Sequence, residues 1–271
     1  MGPQYILHIG MNKTGSTSLQ RFFSDNYRLF ARNKLLYPRT GRKNNAHYYL
    51  GRMLGFGTRL DLDRTDLSAL VKQTRRKLDR EISAREAKKV LISCENFVQP
   101  RNMARLKRFF AGNDVTVLVY LRRHDYWIES CYHQAVKMFK HMPWCNGIDA
   151  YLEHLKKKQP HHGKFRELVD NWAAIFGKQN IIVRPFEPGQ NQPSLFHDFL
   201  RSAGLTGFID GIEIPQWRMN ESPFTEKPIM SNLIREQLVM QNQSDYDYIA
   251  REYMGRKNES LFFEPISREI I

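Results

Sequence analysis

An apolar run that breaks into a glycine-and-hydroxyl loop and then into an amphipathic helix constrains this chain more than any other stretch. It reads Tyr5-Ile-Leu-His-Ile-Gly10-Met-Asn-Lys13-Thr14-Gly15-Ser16-Thr17-Ser18-Leu-Gln20. Leu19, Phe22, Phe23, Tyr27 and Phe30 follow at helical offsets on one face, so residues 10–30 form a strand-loop-helix unit. Backbone N–H groups at a helix start are unpaired and carry the positive end of the helix dipole, so such a loop cradles an anion. Gly15 lets the backbone approach that anion closely, while Ser16, Thr17 and Ser18 add hydroxyl donors or cap the helix.

The loop departs from an ordinary triphosphate site. In G-x-x-x-x-G-K-[ST] the Lys follows the second Gly. Here Ser16 follows Gly15, and the Lys lies two residues before it, at Lys13. The strand Val115 to Leu121 runs into Arg122-Arg123, where a magnesium-binding NTPase would carry an Asp. The expected ligand is anionic and bound without metal.

Further strands and helices alternate along the chain. Leu67, Leu70, Val71, Thr74, Leu78 and Ile82 mark a long helix before the strand Lys89 to Cys94. Met103, Leu106, Phe109 and Phe110 mark another before Val115 to Leu121. A helix from Asp125 carries Ser130 in its second turn; Leu168, Val169, Trp172, Ile175 and Phe176 form a helix face with Trp172 inward. A short strand spans Asn180 to Arg184, a helix Pro193 to Ala203, and the tail from Thr225 reads as mostly helical. Residues 38–57 read as a surface loop with local helix around His47 to Leu54. This alternation argues an α/β fold with a mainly parallel sheet covered on both faces, whose ligands bind at the carboxyl ends of the strands. Lys13, Glu95 and Arg122 all fall just past such ends.

At 271 residues the chain suits a single domain over residues 1–271. No stretch approaches ~18 consecutive apolar residues, so no membrane span is expected, and the early first strand leads to a cytoplasmic expectation. Cys94, Cys131 and Cys145 lack CxxC spacing and suggest neither a disulfide framework nor a zinc site. The net charge of +14 attracts anions without choosing among them.

Three blocks resemble the superfamily of sulfotransferases that use 3′-phosphoadenosine 5′-phosphosulfate (PAPS). Lys13-Thr14-Gly15-Ser16-Thr17 looks like the 5′-phosphosulfate loop; Arg122 at a strand end with Ser130 eight residues later looks like the 3′-phosphate clamp; Leu91-Ile-Ser-Cys-Glu95-Asn-Phe97 sits where the family places its catalytic base. The likeness continues through Trp172 to Pro185 and Met219 to Ser222. Cytosolic animal members carry an adenine-stacking Trp where this chain has Ser18, so the resemblance is to the bacterial and carbohydrate-type branches, with the adenine contact unassigned.

The resemblance implies a P-loop-like three-layer fold and sulfuryl transfer from PAPS to a hydroxyl or amine, with adenosine 3′,5′-bisphosphate as product and no metal. Lys13 would stabilise charge developing on the bridging oxygen. Cosubstrate binding would fall to Lys13, Thr14, Gly15, Ser16, Thr17, Ser18, Arg122 and Ser130, with Arg123 as competitor for the clamp. The acceptor's proton would go to Glu95, with His47 in the neighbouring loop as rival base. The acceptor, possible as an anionic carbohydrate or lipid, would meet Arg39, Arg42, Lys43 and Arg52, or His154, Lys156, Lys157, Lys158, His161 and His162. No nucleic-acid motif is present, so no nucleic-acid partner is expected. Two alternatives remain open: a nucleotide kinase or NTPase with a divergent phosphate loop, and a non-catalytic polyanion-binding module.

Overall fold

The computed structural model describes residues 2–57, 60, 64–98, 103–139, 141–158, 163–215, 229–257 and 259–266. Met219 to Ser222, His161, His162 and the first residues of the expected C-terminal helix (225–228) lie outside them. Five strands, β1 (Gln4–His8), β2 (Leu35–Leu36), β3 (Lys89–Ser93), β4 (Val115–Leu121) and β5 (Ile181–Pro185), form one sheet in the order β2-β3-β1-β4-β5. Every pairing is parallel. The loop-bearing strand β1 therefore lies in the centre, between β3 and β4.

Alternation along the strands divides the interior in two, as a period of two residues requires. Ile6, Leu91, Leu118 and Tyr120 face one layer with Phe22, Phe23, Phe30, Phe196 and Phe199. That layer is built by α1 (Ser16–Asp25), α2 (Tyr27–Arg32) and α9 (Leu195–Ser202). Tyr5, Leu7, Val90, Ile92, Val117 and Val119 face the other, with Trp127, Val169, Trp172 and Tyr246. Its helices are α3 (Tyr48–Leu54), α4 (Arg64–Arg85), α5 (Met103–Phe109), α6 (His124–Met138), α7 (Ile148–Lys158), α8 (Phe165–Phe176) and α10 (Asn232–Met254). Trp172 is fully buried and stacks on Phe56.

Two departures from the sequence reading have local causes. The helix expected through Phe30 breaks at Asn26, whose backbone N–H and side-chain amide both donate to the Phe22 carbonyl, closing α1 before α2 begins. The edge strand β2 is only two residues long, too short to show a period. Among the described residues no helix is long and apolar enough to cross a membrane.

Candidate active site at the strand ends

The loop after β1 is braced from within. The Thr14 hydroxyl donates to the Met11 carbonyl at 2.5 Å and Ser16 Oγ lies 3.0 Å from the same oxygen. Both side chains are buried, as is Ser18. The Thr14 and Ser16 hydroxyls hold the turn; of the three residues after Gly15, Thr17 alone is exposed. Lys13 and Gly15 take left-handed backbone, with φ of 67° and 76°. A Cβ on Gly15 would stand 2.3 Å from Leu195 Cδ2, so this residue is required both by its φ and by its contact with α9. α1 starts at Gly15 without a side-chain cap and without an acid in its first turn, which leaves its N-terminus suited to an external anion.

α6 fixes the loop from the other side. Trp127 Nε1 donates to Asn12 Oδ1 at 3.0 Å, and Asn12 Nδ2 reaches Cys131 Sγ at 3.5 Å. The Cys131 thiol is pushed up to about 11 by burial, against the pull of Lys13 and Arg122. The half-buried Lys13 has its pKa lowered, chiefly by burial and further by Arg122 and Lys137, while Cys131 and Glu95 oppose the shift.

Arg122 and Arg123 separate cleanly. Arg122, half-buried one residue past β4, donates from Nη1 to the Lys13 carbonyl at 3.0 Å, and its guanidinium lies 5.7 Å from the Phe186 ring centroid. Arg123 is buried and bidentate on Asp125, at 2.8 and 2.9 Å, and also donates to the Glu264 carbonyl. Asp125 in turn lies 3.5 Å from Arg235, which also holds Glu129. The second arginine thus ties the C-terminal segment and α10 to α6. Ser130 is half-buried on α6, beside Cys131.

Glu95 opens the turn after β3, half-buried, and accepts from the Tyr48 hydroxyl at 2.7 Å. Its pKa is raised by burial, opposed by hydrogen bonds from Tyr48 and Ser16 and by the Lys13 charge. β3, β1 and β4 are neighbours, so Glu95, Lys13 and Arg122 gather at adjacent carboxyl ends.

His47 corrects an expectation. It is fully buried, not exposed in a loop. Its Nδ1 accepts from the Ser93 N–H at 3.1 Å, its Nε2 donates to the Pro38 carbonyl at 2.9 Å, and its own N–H donates to the Ser93 carbonyl at 2.8 Å. Burial lowers its pKa to about 3. With both ring nitrogens engaged by backbone, the imidazole anchors the 38–47 loop to β3 and has no ring nitrogen left for a base. Nor are Arg39 and Arg42 simply solvated: they lie over the Tyr27 and Tyr37 rings, and Arg42 donates to Ser24 Oγ. Tyr48 and Asn12 went unnoticed in the sequence because nothing in the order of residues marks their partners, Glu95 and Trp127, 47 and 115 positions away.

No model of a known protein family matches this chain, and no curated protein matches it. Among solved structures, a sulfotransferase from Alicyclobacillus acidocaldarius superposes with a TM-score of 0.61, over 94% of this chain and 97% of that one, at 16% identity. That likeness establishes the fold. The all-parallel α/β sheet flanked by helices is an architecture this chain shares with a sulfotransferase along nearly its whole length.

Proposed function

We propose that this protein is a sulfotransferase that moves the sulfuryl group of PAPS to an acceptor hydroxyl or amine. The observation that carries the reading is the convergence of Lys13, Arg122 and Glu95 at the carboxyl ends of three adjacent strands, beside an acid-free helix N-terminus. The PAPS-binding residues would be Lys13, Thr14, Gly15, Ser16, Thr17 and Ser18 for the 5′-phosphosulfate, through backbone N–H groups and the Lys13 ammonium, and Arg122 with Ser130 for the 3′-phosphate. Arg122 presents a planar fork suited to phosphate.

In the step proposed, the acceptor oxygen bonds to sulfur as the bond from sulfur to the bridging 5′-phosphate oxygen breaks. Glu95 receives the acceptor proton. The electron pair stays on the leaving oxygen of adenosine 3′,5′-bisphosphate, where Lys13 and the loop amides stabilise it. Half-burial keeps the ammonium poorly hydrated and strengthens that interaction. A carbohydrate or glycolipid acceptor suits the basic surface.

The test is calorimetric titration with adenosine 3′,5′-bisphosphate, 5′-AMP, and ATP with and without magnesium. Binding that requires the 3′-phosphate and ignores magnesium is expected. The ATP arm matters because Glu95, an acid, follows β3, a strand adjacent to β1, a placement that would also serve a metal-dependent nucleotide enzyme. Magnesium-dependent preference for ATP would overturn the proposal in favour of that enzyme. Binding without 3′-phosphate preference that weakens steeply with salt would favour a polyanion-binding module.

A further inference from the structure

Glu95 sits where burial works against the role of a base, because removing a carboxyl from water favours its protonated form. The charged or titratable groups that bear on it are Lys13 from the loop, Tyr48 from α3 and the adjoining Cys94 thiol. Cys94 is itself pushed up to about 12, chiefly by burial, and is a neutral neighbour. The Tyr48 phenol is also shifted upward, first by burial and then by Glu95, so it stays a neutral donor to the carboxylate.

The backbone on both sides of Tyr48 is anchored. The residue before it, His47, makes three hydrogen bonds to the Pro38 and Ser93 backbone. One turn later, Gly51 lies so close to Cys94 that a Cβ there would stand 2.6 Å from its Sγ. α3 is therefore fastened to Ser93 and Cys94, the two residues preceding Glu95, and Leu50, Met53 and Leu54 bury its other face. From this anchored backbone the Tyr48 hydroxyl donates to Glu95 Oε2, 2.7 Å away. One carboxyl oxygen is thus engaged by Tyr48, and Ser16 also bears on the group as a hydrogen-bond donor.

We propose that Tyr48 is a positioning residue, whose hydroxyl orients the Glu95 carboxyl and holds it in the ionised, proton-accepting form, with the buried His47 as the anchor that places Tyr48. Its catalytic meaning rests on the sulfotransferase reading; the effect on Glu95 does not.

The test is a ¹³C-carboxyl titration of glutamate-labelled protein, with the Glu95 resonance assigned by its loss in Glu95→Gln. In Tyr48→Phe, which removes one oxygen and keeps the ring, the Glu95 midpoint is expected to rise by about one pH unit, the effect of losing a hydrogen bond to the charged form. Site-specific 3-fluorotyrosine at position 48, a more acidic donor, is expected to move it down and covers the case in which the Phe variant fails to fold. An unmoved midpoint in either variant, or a shift of the opposite sign, overturns the proposal. Adenosine 3′,5′-bisphosphate calorimetry runs alongside. If the wild-type protein does not bind it, the sulfotransferase reading falls while the titration still decides the role of Tyr48. If it binds with the same affinity in Tyr48→Phe and the midpoint does not move, the positioning role alone falls.

Discussion

Replacing Gly15 by Ala tests the packing that fixes the loop after β1, because two separable penalties meet at that residue. The first is conformational: at φ 76° an L residue is in the left-handed region, which costs about 1–2 kcal/mol. The second is steric: the new methyl carbon would lie 2.3 Å from Leu195 Cδ2 and 3.3 Å from Phe186 Cε2. Leu195 is 1% exposed within the aromatic layer around Phe196 and Phe199 and cannot turn aside freely, so overpacking adds about 1–3 kcal/mol. The expected loss is about 2–5 kcal/mol in urea unfolding of the ligand-free protein, with adenosine 3′,5′-bisphosphate affinity falling as the loop shifts. A cycle with Leu195→Ala separates the terms. Against that truncated background Gly15→Ala should cost only the conformational ~1–2 kcal/mol, although Leu195→Ala alone is destabilising by about 2–5 kcal/mol. A cost below about 1 kcal/mol in the native background, or the same cost in both, would refute the claim that Leu195 dictates the glycine.

Three other outcomes are expected. Lys13→Gly relieves the φ of 67° and should leave stability unchanged or higher by about 1 kcal/mol, while bisphosphate affinity drops at least about tenfold through loss of a charged contact; calorimetry and thermal unfolding read both. Arg122→Ala should reduce affinity for the 3′,5′-bisphosphate while sparing 5′-AMP, whereas Arg123→Ala should destabilise the fold by about 3 kcal/mol, because it strips the bidentate partner from buried Asp125; comparing unfolding and binding in the two variants separates a ligand contact from a structural one. His8 and His47, both buried and lowered to about 3 mainly by burial, stay neutral in the folded protein and ionise on unfolding below about 6.5. The unfolded state then binds more protons, so their contribution to stability is complete above about pH 6.5 and is lost as pH falls toward 3, at up to about 2.7 kcal/mol per pH unit for two protons. His47→Gln should remove about half of that slope between pH 6 and 5, and an identical slope would contradict the assignment of His47 as a buried neutral anchor.

The glycine-and-hydroxyl loop, the parallel sheet and the positions of Lys13, Glu95 and Arg122 beyond strand ends were legible from the amino-acid order alone, because each is written in local signals. These are an apolar run, a glycine that permits left-handed backbone, a helical period and a polar residue where the run stops. What those signals do not carry is direction in space. A sequence period says that Thr14 and Ser16 follow a strand, but not that the turn folds their hydroxyls back onto the Met11 carbonyl three and five residues before them. It offers Glu95 as the base with His47 as its rival, and packing buries His47 against Pro38 and Ser93 while leaving Glu95 half-exposed beside Lys13 and Tyr48. It places two arginines side by side: Arg123 pairs with Asp125 two residues on, the return of α10 and the C-terminal segment encloses that pair with Arg235 and the Glu264 carbonyl, and Arg122 is left against the loop. Local chemistry determines which elements form, since it depends on neighbours in the chain. Which of His47, Glu95 and Arg122 is buried and which is left at the strand ends depends on partners tens of residues away, and these come together only when the sheet and its two helical layers close.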